Sequence, residues 1–142
     1  MIYTCMTKKA LKLCFEAHKD QLDKSGMPYV FLPFHLAEQM TDEDTTVVAL
    51  LHDVVEDTDY TLEDLKVMGF NEKVIEAIGL MTHAEGVPYM EYVAKIKENP
   101  IAKAVKLADL AHNSDSSRLD NITEKDIARR EKYKNAIEFL NR

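Results

Sequence analysis

Hydrophobic residues recur at helical spacing along nearly the whole chain, and no segment sustains an alternation of apolar and polar residues. This pattern predicts an all-α fold of about seven or eight helices. Turn residues separate the helices, for example between 23 and 29 and again at 86–88. The predicted helices run from Thr4 or Thr7 to about Leu22, Pro33 to Met40, Thr45 to Asp57, Thr61 to near Gly69, Asn71 to about His83, Tyr89 to Lys97, Pro100 to Asn113, and Thr123 or Asp126 to Leu140.

Length and charge limit the class of protein. A chain of 142 residues is the size of one domain with one hydrophobic core, and we expect residues 1–142 to form a single domain. The 25 acidic residues outnumber the 18 basic ones and give a net charge of -7. Proteins that bind nucleic-acid phosphates or anionic membranes normally carry the opposite sign, so we expect neither as a partner. The sequence does not indicate an oligomeric state.

The cysteines and the N-terminus indicate a reducing compartment. Cys5 and Cys14 lie in one predicted helix, which holds their Cα atoms too far apart for a disulfide. The first residues lack the apolar stretch of a signal peptide, and no apolar run approaches the ~20 residues of a membrane span. We therefore expect a soluble, cytoplasmic protein.

The helix predicted from Thr45 to Asp57 carries the first candidate chemistry. Apolar residues cover most of its circumference, so it is expected to lie deep in the domain. Carboxylates near its C-terminal end are unfavourable unless they are paired or bind a metal. A cation held by His52 and Asp53 removes this conflict, and Glu56 and Asp57, one turn further, are placed to hold water or take a proton. The alternative is a frayed helix end with surface charges.

A second polar group lies in the helix predicted from Pro100 to Asn113. Lys106, Asp109 and Asn113 follow i, i+3, i+7 spacing and therefore share one stripe of the helix. Asp109 suits a mixed imidazole and carboxylate site for manganese, iron or magnesium, and Lys106 suits a phosphate oxygen. The alternative is an ordinary ion pair between Lys106 and Asp109 within the helix.

Together the two segments resemble the HD-domain metal phosphohydrolases, and more narrowly the hydrolase domain of the Rel/Spo alarmone enzymes and the small alarmone hydrolases. The string ALLHDVVEDT at 49–58 matches the family signature without a gap, and KLAD and HN within 106–113 match its later motif. Residues 17–21 and 24–29 match its first loop. The resemblance covers nearly the whole chain and implies a compact, HD-type helical bundle.

The resemblance also implies a metal centre and its ligands. It implies a Mn²⁺ ion, or another divalent cation such as iron or magnesium, held by His52, Asp53 and Asp109. It further implies that Glu56 and Asp57 orient and activate the attacking water. The sequence therefore predicts a metal-dependent phosphohydrolase.

The substrate implied by the resemblance is a small nucleotide. Members of the family remove the 3′-pyrophosphate from guanosine tetraphosphate or pentaphosphate. Lys24, Lys106 and Asn113 are then the expected substrate contacts. Tyr133 is a candidate to close the pocket over a base, and the segment Glu124 to Lys134 is expected to be a solvated helix face.

The chain departs from the family at the first metal ligand. The family pattern is Tyr-x-x-His-Pro, whereas this chain has Tyr29-Val30-Phe31-Leu32-Pro33, so that Leu32 occupies the ligand position. His35, one turn further, reaches the metal only if its short helix shifts, and otherwise is a surface or supporting histidine. Asp23 and Asp115 stand where the family has arginines, which makes the pocket less favourable for a multiply charged pyrophosphate.

These departures leave two functions open. The first is a phosphohydrolase weakened by the loss of one ligand. The second is a degenerate HD domain that binds a nucleotide or a protein partner without turnover. Larger relatives also carry alarmone synthetase activity in a domain that follows the hydrolase, but this chain ends at Arg142, and we do not expect that reaction.

Overall fold

The predicted helices are present in the computed structural model, which describes residues 1–115 and 121–142. This part of the chain forms eight α-helices, so the predicted all-α class is confirmed. The overall helical arrangement places the chemistry-bearing segments on two neighbouring helices, the third and the seventh. In chain order the helices are α1 (Cys5–His18), α2 (Phe31–Glu38), α3 (Glu43–Asp57), α4 (Leu62–Val67), α5 (Glu72–Met81), α6 (Tyr89–Lys97), α7 (Pro100–Ser114) and α8 (Glu124–Leu140).

Local capping explains where several helices begin. Thr61 and Asp64 form the predicted capping box at the start of α4, with each side chain accepting the other residue's backbone N–H. The Asn71 side chain accepts the Val74 N–H at 2.9 Å and so begins α5. Thr123 caps α8 in the same way as Thr61 caps α4. These signals are local in sequence, which is why the sequence located these helix starts closely.

Helix α3 lies at the centre of the bundle and packs against α1, α2, α5 and α7. The Asp42 carboxylate caps it by accepting the Thr45 N–H at 2.8 Å. Every residue from Thr45 to Val54 is buried. Because apolar residues cover nearly its whole circumference, the helix is buried on all sides, and this burial extends along the helix as far as Val54.

Helix α1 is shorter than predicted. It ends at His18 and not near Leu22, because the chain from Lys19 onward folds back on itself. The Tyr29 N–H donates to the Gln21 carbonyl at 2.8 Å, and an antiparallel bridge joins Leu22 to Pro28. We call residues 19–30 the α1–α2 loop. Hydrogen bonds across this loop replace those that a longer helix would have made.

Two further sequence predictions concern the cysteines and the membrane. Cys5 and Cys14 are both free, Cys5 being exposed and Cys14 buried. Burial, followed by the nearby Asp53 carboxylate, raises the pKa of the Cys14 thiol to about 12. Within the residues that the structure describes, every helix is too short or too polar to cross a membrane.

Candidate active site and metal centre

His52 and Asp53 project from the buried part of α3, and both are almost inaccessible to solvent. The exposed fraction is 3% for His52 and 9% for Asp53. His52 Nε2 lies 3.2 Å from Asp53 Oδ2. Two polar side chains at adjacent positions of a buried helix need partners, and here each lies within reach of the other and of a further partner, the Ala49 carbonyl for His52 and the Tyr29 hydroxyl for Asp53.

The hydrogen bonding of His52 is that of a metal-ligating histidine. Its Nδ1 lies 2.8 Å from the Ala49 carbonyl, and since a carbonyl only accepts, Nδ1 carries the proton. Nε2 is then the ring atom that faces Asp53 Oδ2. It is buried and, among the described residues, has no well-aligned hydrogen-bond partner. Backbone carbonyls fix the tautomer of metal-binding histidines in this way.

The carboxylates around His52 favour a positive charge at this point. Burial alone lowers the pKa of the imidazole, but Asp53 and then Asp109 outweigh it and raise that pKa to about 9. Despite its own burial, Asp53 has a pKa held well below the usual range by His52 and by the Tyr29 hydroxyl. A divalent cation bound to these groups replaces the imidazole proton and neutralises the same carboxylates.

Asp109 belongs to a polar group on α7, as its spacing predicted. Its carboxylate accepts from Lys106 Nζ at 3.2 Å and from Asn113 Nδ2 at 2.9 Å. Lys106 is nearly buried, and although burial lowers its pKa, the Asp109 carboxylate raises that pKa above its ordinary value. Lys106 therefore remains an ammonium facing the site. The ion pair between Lys106 and Asp109, which the sequence offered as the alternative to a metal site, is present, but both side chains line a cavity and are nearly buried.

One cavity of about 390 Å³ joins the two helices, the α1–α2 loop and α8. This volume is in the range of small-molecule sites. We call four charged lining residues of α3 and α7, together with the neighbouring His52, the inner end of the cavity. They are His52, Asp53, Glu56, Lys106 and Asp109. We call the charged lining residues of the α1–α2 loop, the end of α7 and α8 the outer end, and they are Asp23, Lys24, Asp115, Asp126, Arg129 and Arg130.

Glu56 and Asp57 follow one turn after His52 and Asp53, at the solvent-facing end of α3. Partial burial, and then the Asp53 carboxylate, raises the pKa of both side chains above its ordinary value. Glu56 Oε1 also accepts the His83 N–H at 3.4 Å, which fixes its direction. Glu56 lines the cavity, and Asp57 follows it on α3. A carboxylate with a raised pKa beside a water-accessible cavity is suited to take a proton from water.

The outer end holds two arginines that sequence analysis missed. Arg129 and Arg130 of α8 line the cavity together with Lys24. The segment 124–134 is largely exposed to solvent, as expected, and Arg129 and Arg130 in addition face the cavity. The pKa of Lys24 is lowered, first by burial and then by Arg129, so these cations lie close enough to disfavour one another. An anion bound between them relieves this repulsion.

Asp23 and Asp115, which stand where the family has arginines, also lie at the outer end. Asp23 Oδ1 accepts the backbone N–H groups of Ser25 at 2.8 Å and Met27 at 3.0 Å. The Asp23 side chain thus holds the turn of the α1–α2 loop, where Gly26 has a φ of 79°. Asp115 follows α7 and lines the same cavity. The chain therefore has acids in the outer end, as the sequence indicated, but also arginines from α8 that balance them.

Leu32 of α2 lines the cavity on the side of Asp53 and Asp109. A leucine has no atom that binds a metal, so α2 supplies no ligand from this position. His35 is exposed one turn further along, and its ring centroid lies 5.4 Å from that of His112. This placement does not favour His35 as a replacement ligand. His112 lines the cavity.

The predicted ligands do not form a complete metal site. Over residues 1–115 and 121–142, no three His, Cys, Asp or Glu side chains converge as a ready-made cation site. The donor set nevertheless fits a hard divalent cation, because His52 presents an unpartnered, buried Nε2 beside the Asp53 carboxylate. Asp109 shares the cavity with Asp53, and its oxygens bond to Lys106 and Asn113.

Two of the neighbouring histidine and tyrosine side chains are structural, and a third lines the cavity. His18 is fully buried, and its Nδ1 lies 2.9 Å from Gln21 Oε1, so it is a hydrogen-bonded structural histidine. Tyr92 is buried and its hydroxyl donates to the Met81 carbonyl at 2.6 Å, so it packs in the core. Tyr133 of α8 lines the cavity, where an aromatic ring is available to a base.

No family model matches the sequence, but individual relatives do. The chain is 32% identical over 139 residues to guanosine-3′,5′-bis(diphosphate) 3′-pyrophosphohydrolase of Aquifex aeolicus, covering 89% of this chain and 19% of that protein. It is 36% identical over 114 residues to guanosine-3′,5′-bis(diphosphate) 3′-pyrophosphohydrolase MESH1 of Mus musculus, covering 70% of this chain and 63% of that protein. Other relatives are named GTP pyrophosphokinase, and the chain spans 16% of one from Mycobacterium leprae.

A solved structure shows the same fold. It is that of a metazoan ortholog of SpoT that hydrolyses ppGpp, and it matches with a TM-score of 0.76 at 24% identity, covering 100% of this chain and 88% of that one. The resemblance stated from the sequence is therefore confirmed. The homologues of this chain are SpoT/Rel-type enzymes, and its helices are arranged as in their HD-type relative.

Proposed function

From its kinship with the SpoT/Rel-type enzymes, we propose that this chain is a single-domain, cytoplasmic phosphohydrolase that removes the 3′-pyrophosphate of guanosine tetraphosphate or pentaphosphate. One observation supports this most strongly. A single cavity is lined by Asp53 and Asp109, with His52 next to Asp53, and by Arg129 and Arg130. A cavity that combines groups for a cation with groups for a phosphate suits a charged nucleotide.

We propose that His52, Asp53 and Asp109 hold the cation, with Mn²⁺ as the first choice and iron or magnesium as alternatives. When bound, the cation supplies Lewis acidity, which polarises a phosphoryl oxygen and acidifies water. His52 Nε2 faces the Asp53 carboxylate, and the low pKa of Asp53 keeps that carboxylate ionised, so a cation that displaces the imidazole proton finds both groups in place.

The protein's own groups carry the proton transfers and the binding. Glu56 and Asp57 orient the attacking water and accept its proton, since their raised pKa values bring proton affinity closer to neutral pH. Water then adds its oxygen to phosphorus, and the pyrophosphate leaves the 3′-oxygen, which takes up a proton. Lys106 and Asn113 contact the phosphate groups near the inner end, and Lys24 contacts the part of the nucleotide that lies at the outer end.

The test is a substrate screen with added Mn²⁺. Guanosine tetraphosphate and ordinary nucleotides are incubated with the protein, and release of phosphate and of pyrophosphate is followed separately. We expect pyrophosphate from guanosine tetraphosphate, and no activity from Asp109→Ala. Glu76→Ala, which removes an exposed carboxylate on α5, is the matched control and keeps the wild-type rate. Equal rates for wild type and Asp109→Ala contradict the proposal.

A second candidate function is a degenerate HD domain that binds a nucleotide or protein partner without catalysis. The observation that favours it is Leu32, which lines the cavity without offering a ligand atom. Elemental analysis after purification without chelator separates the two functions. Near-stoichiometric manganese or iron supports the hydrolase, whereas no bound metal even after excess Mn²⁺ supports the binding domain.

A further inference from the structure

The α1–α2 loop holds one tyrosine in a fixed position beside the inner end of the cavity. The Tyr29 N–H donates to the Gln21 carbonyl, and the Asp23 N–H donates to the Met27 carbonyl, both at 2.8 Å. These bonds, together with the bridge between Leu22 and Pro28, pair the two arms of the loop. The backbone at Tyr29 is therefore set by the loop before its side chain makes any contact.

The ring of Tyr29 is held from the side by the last residue of α1. His18 is fully buried, and its ring centroid lies 5.0 Å from that of Tyr29. The His18 ring is itself fixed, because its Nδ1 lies 2.9 Å from Gln21 Oε1 in the same loop. With the ring packed in this way, the phenol has one direction in which its hydroxyl can point.

That direction leads to the carboxylates of α3. The Tyr29 hydroxyl donates to Asp53 Oδ2, the same oxygen that lies 3.2 Å from His52 Nε2. This hydrogen bond joins the α1–α2 loop to a buried carboxylate of α3.

We propose that Tyr29 is a positioning residue whose hydroxyl holds the Asp53 carboxylate against His52. The inference rests on the proposed function, because that function assigns the Asp53 carboxylate to the cation. An ionised carboxylate has about four lone-pair sites, so accepting from Tyr29 leaves Asp53 free to bind a cation. The α1–α2 loop thereby sets the geometry of ligands that belong to α3.

The test compares Tyr29→Phe with Tyr92→Phe. Both changes remove a hydroxyl hydrogen bond of a largely buried tyrosine, but the Tyr92 hydroxyl bonds to a backbone carbonyl and not to a carboxylate. Loss of such a supporting contact typically costs ~10–100-fold in metal affinity or activity. We expect Tyr29→Phe to weaken Mn²⁺ binding in calorimetry by that factor and to lower kcat while KM is unchanged. Tyr92→Phe keeps the wild-type Mn²⁺ affinity.

Wild-type Mn²⁺ affinity and kcat in Tyr29→Phe overturn the inference. A separate NMR measurement distinguishes failure of this inference from failure of the proposed function. The hydroxyl proton of Tyr29 is expected as a slowly exchanging, downfield NMR signal of the metal-free protein, lost in Tyr29→Phe and in Asp53→Ala. If the wild type neither binds Mn²⁺ nor hydrolyses a nucleotide, the proposed function fails. The signal then decides whether Tyr29 positions Asp53, and its absence from the wild type contradicts that role.

Discussion

The two ends of the cavity are built differently. The inner end lies on α3 and α7, and its Asp53 and Asp109 are both buried. The outer end lies on the α1–α2 loop, the end of α7 and α8, where Lys24 and Arg130 are exposed. Buried helices hold side chains precisely, whereas exposed ones adapt to a ligand. The difference indicates that chemistry belongs to the inner end and substrate binding to the outer end.

Charge separates the two ends as clearly as burial does. Among the described residues that line the cavity, the inner end sets three carboxylates against one ammonium, and the outer end has three of each sign. The excess negative charge at the inner end favours a cation. The outer end is balanced, so an anionic nucleotide binds there by pairing with individual cations and not through a strong field. Substitutions at the two ends are therefore expected to change different kinetic constants.

The largest expected effect comes from Glu56 and Asp57, the proposed water-activating pair at the C-terminal end of α3. Glu56→Gln or Asp57→Asn removes a proton acceptor but retains the shape of the side chain. We expect kcat to fall by ~10²–10⁴, the usual contribution of a positioned acid or base. KM for guanosine tetraphosphate and Mn²⁺ affinity stay near the wild-type values in steady-state and calorimetric measurements. A change confined to KM would place these residues in substrate binding instead.

A gain of function at the inner end is the next largest. Leu32→His adds an imidazole on the cavity wall beside Asp53 and Asp109. We expect Mn²⁺ affinity to rise by at least the ~10–100-fold that supporting contacts contribute, with a higher hydrolysis rate. Leu32→Asn, which adds polarity but no imidazole, is the control. Equal affinity in parent and Leu32→His contradicts the placement of Leu32 at a ligand position.

Changes at the outer end are expected to act on binding. Arg129→Ala and Arg130→Ala each remove a cation from the cavity wall. We expect KM for guanosine tetraphosphate to rise about tenfold, equivalent to ~1.4 kcal/mol, with little change in kcat. Lys134→Ala removes an exposed positive charge from the same helix and serves as the control. A fall in kcat with constant KM in the arginine variants would break the division between the two ends.

The smallest expected effect concerns Asp23. Asp23→Asn removes a negative charge from the outer end, and the amide oxygen still accepts the Ser25 and Met27 N–H groups that hold the turn. Exposed charge interactions are worth ~0.2–1 kcal/mol, so KM for an anionic nucleotide is expected to fall by a few-fold at most. Raising the salt concentration should abolish this gain. A higher KM at low salt would show that the Asp23 charge assists binding.

The sequence predicted the residues of the inner end better than those of the outer end. Positions within one helix follow from spacing alone, and the contacts of Asp109 with Lys106 and Asn113 are those that i, i+3 and i+4 separations produce. The placement of His52 and Asp53 in a buried helix likewise follows from the apolar residues around them. The inner end was therefore largely predictable, although its role in catalysis stays a prediction.

The outer end depends on contacts between distant parts of the chain, which periodicity does not contain. Helix α8 buries only Ala136 and Leu140, so its pattern gave no sign that Arg129 and Arg130 face a cavity. The turn at 23–29 was predicted, but the first helix was predicted to continue past His18 to about Leu22, since the bonds that end α1 join Gln21 to Tyr29 across the turn. The position of the Tyr29 hydroxyl depends on this loop and was missed for the same reason.

The contrast between the two thiols of α1 makes the unaltered chain suitable for single-site labelling. Cys14 is buried with a raised pKa, so at neutral pH it remains a protonated and shielded thiol that maleimides do not modify. Cys5 is exposed at the opposite end of α1 from His18. A fluorophore attached there needs no engineered cysteine and lies on the helix whose last residue packs against Tyr29, where its emission can report how nucleotide or Mn²⁺ alters that helix.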